Sequence, residues 1–174
     1  MFSSSLGGRW AQVGVGAEAG RLNLSLLVDQ RSQRYQTREA DVIDLLTFLH
    51  RYLPSSPSKG SLWAKSKQQP FLIDHLWLDN EGPEYPMLRK YFVGDGLRRA
   101  GWELCQLNVE LHGPLNQYHF SHEQYDALMS DLFRNSSYLP ITASDPINHV
   151  RMTFFNFRSL ACLQRYIGSL SSCS

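Results

Sequence analysis

No stretch of this chain stays apolar for the roughly 18 positions that a membrane-crossing helix needs, so a helical membrane protein is not expected. Charge of one sign is lacking as well. Seventeen Lys and Arg stand against sixteen Asp and Glu, for a net charge of +1, which is not the broadly basic composition of a general nucleic-acid binder. Cysteine is scarce: Cys105, Cys162 and Cys173 are odd in number and form neither a CxxC pair nor a zinc-knuckle spacing, so a reducing, cytoplasmic setting is expected. Cys105 and Cys162 fall on apolar faces and read as small core residues. The first eight residues, rich in Ser and Gly, have no basic segment followed by an apolar one and do not read as a secretory signal.

Catalytic signatures are equally sparse. Gly94-Asp95-Gly96 has neither the preceding strand nor the long following helix of a phosphate-binding glycine loop, and reads as a turn. No HExxH occurs. A D...ExK nuclease pattern lacks its lysine near Glu103 or Glu110, and a two-histidine phosphodiesterase finds one copy at His119-Phe120-Ser121 but none at His149, where Arg151 takes the hydroxyl position.

What is present is 174 residues of ordinary globular composition, 43% apolar and 19% charged, enough to bury a core without a structural metal. The expected fold is one α+β domain over 1–174. It comprises an N-terminal antiparallel meander, a central mixed or antiparallel sheet, and about four helices packed mainly on one face. Residues 1–8 and 171–174 are expected as flexible ends, and 54–70 as a long basic loop. Strands are expected at 10–16, 21–29 and 34–37. A helix follows from a Thr37 cap through Val42, Leu45, Leu46, Leu49 and Leu53 to the stop at Pro54. Further strands read over 71–79, 103–111 and 149–156. The 135–145 tract reads as a polar loop. Ser121 and Gln124 form a capping box that opens a helix, and a last helix over 158–170 turns Leu160, Leu163 and Ile167 inward.

Charge is uneven along the chain. Residues 1–70 carry nine basic against five acidic side chains, and residues 71–134 five against ten. With Arg outnumbering Lys thirteen to four, eight tyrosines and four tryptophans, the composition suits an interface. The leading expectation is therefore a small cytoplasmic regulatory or accessory protein, non-catalytic, that binds a protein partner through Arg31, Arg34, Trp63, Lys65 and Lys67. The alternative is nucleic-acid binding by the same basic meander and 54–70 loop, with Arg21 and Arg38 added and Trp63 as a stacking aromatic. The third is a metal-dependent hydrolase. Glu110, His112, His119 and His122 lie in one short tract with H-x6-H-x2-H spacing, and imidazole and carboxylate are suitable zinc ligands. The competing structural reading pairs Glu110 with an arginine and leaves His122 in water.

Overall fold

The computed structural model describes residues 11–29, 31–32, 34–53, 70–80, 82–112, 121–144 and 149–168. Trp63, Lys65, Lys67 and His119 lie outside them, as do both chain ends and all of the 54–70 loop except Pro70. The fold is α+β, with two sheets and five α-helices among the described residues. The chain divides into two compact units, Met1–Ser56 and Pro57–Ser174, at a boundary inside the 54–70 tract.

In the first unit, β1 (Gly14–Gly16), β2 (Gly20–Asp29) and β3 (Arg34–Asp44) form a sheet of order β1-β3-β2. β2 runs antiparallel to β3, and β1 runs parallel to it. The Asp29 carboxylate shapes the β2–β3 turn by accepting from the Arg31 backbone N–H (3.0 Å) and the Ser32 hydroxyl (2.7 Å), bonds that hold its pKa below the usual carboxylate range. The helix expected from Thr37 begins later. β3 continues through Asp44, and α1 spans Leu45–Tyr52 with Asp44 as its cap, accepting from the Thr47 N–H (3.1 Å) and hydroxyl (2.6 Å). β3 pairs with β2 from Arg34 to Val42, and a helix begun at Thr37 would forfeit that ladder.

The second unit is built on a four-stranded sheet of order β4-β5-β7-β6: β4 (Phe71–Leu78), β5 (Trp102–His112), β6 (Tyr138–Ser144) and β7 (His149–Asn156). β4 and β5 are parallel and the other pairs antiparallel. The parallel pair requires a crossover, made by α2 (Glu84–Met87), a π-helical stretch over Leu88–Val93, and α3 (Gly96–Arg99). Gly94 and Gly96 are structural, as the turn reading holds. A Cβ on either would lie 2.8 or 2.7 Å from the Lys90 carbonyl oxygen, and Asp95 between them takes a left-handed φ of 56°. α4 (His122–Asn135) opens on the expected capping box, with Ser121 Oγ accepting from Gln124 N (3.3 Å) and Gln124 Oε1 from Ser121 N (2.8 Å).

β5 and β7 split their residues between two faces. Cys105, Leu107 and Val109 are buried with Met152 and Phe154 opposite them, and Leu88, Phe92, Leu128 and Leu132 of the helices complete this core. The polar positions of both strands therefore fall together on the other face. Two expectations change here. The 138–144 stretch is an edge strand rather than a loop, held by pairing to β7. Cys105 and Cys162 are buried as expected but bonded to each other, a disulfide that ties α5 (Leu160–Tyr166) to β5. Cys162 is accordingly the inward residue of α5, while Leu160 and Ile167 are 66% and 58% exposed.

Candidate metal centre

Because β5 and β7 are antiparallel, Glu110 stands opposite Arg151 and His112 opposite His149, all on the polar face. Glu110, His112 and His149 each offer one ligand atom, and these atoms lie within 4.8 Å of one another. The two imidazole rings meet edge to face at 4.7 Å between centroids. Tetrahedral zinc with ligands at about 2.0–2.1 Å sets neighbouring ligand atoms about 3.3 Å apart, so modest side-chain rotation closes the set.

The His112 ring is held from behind. Its Nδ1 lies 2.5 Å from Oε1 of Glu84, a carboxylate with 0% exposure at the start of α2. Glu84 is itself fixed by backbone donors, the Gly82 N–H to Oε2 (2.5 Å) and the Asn80 N–H to Oε1 (3.4 Å). A carboxylate only accepts, so Nδ1 of His112 is the donor to Glu84, and in the neutral imidazole this arrangement puts the lone pair on Nε2, where a metal would bind. Carboxylate, histidine and metal in this order form a recurrent arrangement around bound zinc. The Tyr85 hydroxyl donates to the His112 carbonyl oxygen (3.0 Å), and burial pushes its pKa upward, so it stays a donor. Asp79, just beyond β4, places Oδ1 3.4 Å from His112 Nε2.

Arg151 Nε donates to Oε2 of Glu110 (2.7 Å), which leaves the other carboxylate oxygen for a further partner. The arginine pairing expected of Glu110 is thus present and compatible with ligation. His149 Nδ1 is buried without a hydrogen-bond partner among the described residues, a state that costs free energy unless something else meets that nitrogen. With neutral imidazoles, Asp79, Glu84 and Glu110 outweigh Arg151 by two negative charges, which a divalent cation would cancel.

Asp79 is held above the ordinary carboxylate range, first by burial and then by the Glu110 charge. The folded chain therefore binds this proton more tightly than the unfolded chain does. The resulting stability is complete below the unfolded pKa, near 4, and is lost as pH rises through the folded value. In the chelator-treated, metal-free chain, Asp79→Asn should accordingly raise the melting temperature at pH 7, by about a degree or two since the side chain is half exposed, with no gain at about pH 3. Thermal melts at the two pH values check this.

Of the expected ligands, Glu110 and His112 belong to the group, and His122 stands exposed at the first position of α4, outside it. His149, Asp79 and Glu84 carried no local signal. The alternation of β7 could have revealed His149 once β7 was paired with β5. Arg31 and Arg34 are exposed in the first unit. Arg21 is engaged by Glu39 (3.1 Å) and Asp41 (3.1 Å) across β2 and β3. No described helix is long and apolar enough to cross a membrane.

A groove on the polar face adjoins the group, lined among others by Trp77, Asn108, Glu110, Thr142, Arg151 and Thr153. Trp77 is 63% exposed and stacks on His75 at 6.2 Å. Asn108 links the floor, donating to His75 Nε2 and accepting from the Thr153 hydroxyl. His75 is itself exposed on this face. Comparisons with protein-family models, curated proteins and solved structures find no match to this chain.

Proposed function

We propose that the chain is a metal-dependent hydrolase that holds a divalent cation, zinc by the chemistry of its ligands, on Glu110, His112 and His149. The observation that carries this reading is the convergence of those three groups, with Glu84 orienting His112 and a buried His149 nitrogen that has no hydrogen-bond partner among the described residues. Two histidines and one glutamate are a known ligand set of catalytic zinc, which keeps a fourth position for water and lowers that water's pKa to about 7. Asp79, beside His112, is the base that takes the water's proton.

The protein-binding and nucleic-acid readings gain less support. The nucleic-acid reading adds Arg21, which is already engaged by Glu39 and Asp41, and of the protein-partner surface only Arg31 and Arg34 fall among the described residues. The Cys105–Cys162 bridge favours an oxidising setting over the cytoplasm that the cysteine count suggests.

Elemental analysis of the purified protein, without chelators or affinity tag, tests the proposal. About one equivalent of zinc is expected in the wild type, and at least a hundredfold weaker binding in His149→Ala, which removes a ligand and no other described hydrogen bond of that side chain. No metal in the wild type and no uptake on titration would end this reading.

A further inference from the structure

The groove beside the proposed metal identifies the substrate class, an inference that rests on the hydrolase reading. We propose that the substrate is a nucleotide phosphodiester, with its base stacked on Trp77 and its phosphate held between Arg151 and the metal. An indole exposed on a sheet face beside a polar groove is the platform on which planar rings stack, and His75 packed against it restrains its rotation. Arg151 commits Nε to Glu110 and is otherwise more than half exposed, so its remaining guanidinium donors are presented to the groove in the fork that matches phosphate oxygens.

The spacing fits. Trp77 is level with Asn108, and Arg151 with Glu110, two strands away and two residues along. That places the two Cα atoms about 12 Å apart, and the reach of both side chains into the shared groove narrows the gap to the base-to-phosphate dimension of a nucleotide. Electrostatics make the metal obligatory for this substrate. Without it the carboxylates of Asp79, Glu84 and Glu110 outweigh Arg151 and repel a phosphate, and with it the repulsion is cancelled, leaving the cation and the Arg151 guanidinium as the local partners of an anion.

In the reaction, water gives its proton to Asp79, and the resulting hydroxide forms a bond to phosphorus. The bond from phosphorus to the leaving oxygen breaks with its electron pair, and the Asp79 proton passes to that oxygen. A phosphomonoester and an alcohol result.

The test uses the full chain loaded with zinc and three chromogenic probes: the p-nitrophenyl ester of thymidine 5′-monophosphate, methyl p-nitrophenyl phosphate, and p-nitrophenyl acetate. Expected is zinc-dependent hydrolysis of both phosphodiesters. Trp77→Ala should raise KM for the thymidine ester about tenfold more than it raises KM for methyl p-nitrophenyl phosphate, which lacks the base, with kcat for the thymidine ester within about twofold. Trp77→Phe should restore most of the affinity. Equal behaviour of the two phosphodiesters in Trp77→Ala would overturn the stacking platform. Hydrolysis of the acetate alone would overturn the phosphodiester assignment and keep the hydrolase. Stoichiometric zinc with no turnover of any probe would remove the assignment and the hydrolase while keeping the metal site, and absence of zinc would remove all three.

Discussion

Glu84→Gln is expected to weaken zinc binding by about 10- to 100-fold although residue 84 would not touch the metal. The substitution keeps the shape of a fully buried side chain and changes one acceptor into a donor. The Gly82 N–H, 2.5 Å from Oε2, retains an acceptor only if the amide oxygen takes that place. The amide NH2 then faces Nδ1 of His112, where the carboxylate now lies at 2.5 Å, and two donors would meet. Relief comes by moving the imidazole proton to Nε2, which blocks the metal's lone pair. Competition against a chromophoric chelator measures the loss, and a thermal melt separates it from unfolding. An unchanged affinity would show that His112 is not a ligand, or that Glu84 does not set its tautomer.

Removing the disulfide should have the largest effect on stability. Cys105 and Cys162 are both fully buried and 57 residues apart. On the chain-entropy account, a bridge closing a loop of that size is worth about 4 kcal/mol, and its loss lowers the melting temperature of a chain this long by about 8–16 °C. The Cys105→Ala/Cys162→Ala pair reads this directly and avoids placing hydroxyls in the core. Beyond the bridge, the described contacts of α5 are its Ser159 cap, the edge-on packing of Tyr166 against Phe155 and a surface pair. Arg165 and Tyr166 reach Asp74 (2.5 and 3.0 Å), but the pair is solvent-exposed and such contacts contribute at most about 1 kcal/mol. Wild-type protein in reductant should melt with the variant, and thiol titration of the denatured chain should rise from one group to three on reduction. A melting temperature indifferent to reductant would refute this.

Local signals served the sequence reading well. β5 was legible because its apolar and polar residues alternate without a break, and α4 because Ser121 and Gln124 sit at capping-box spacing. Elements decided by distant partners were not legible. Tyr138–Ser144, with Pro140 and several hydroxyl residues, has loop composition and becomes a strand only because β7 supplies hydrogen bonds. Asp44 caps α1, in place of Thr37, because β2 claims the preceding backbone. The metal group divides the same way. Glu110 and His112 share a face by simple alternation, whereas His149 joins them through a strand register that nothing near residue 149 encodes. Glu84 and Asp79 arrive by way of the crossover between parallel strands, and the bond between Cys105 and Cys162 likewise spans more chain than any local pattern covers.

The strand order β4-β5-β7-β6 also governs when this cluster can exist. Its groups come from residues 79–84, 110–112 and 149–151, so the chain must close two loops of some thirty to forty residues before the third ligand arrives. Such closures are entropically slow, and contacts between distant residues form late in folding. Zinc uptake during refolding should therefore lag helix formation and keep pace with the docking of β7 on β5, which would make the metal a clock for the last step of assembly.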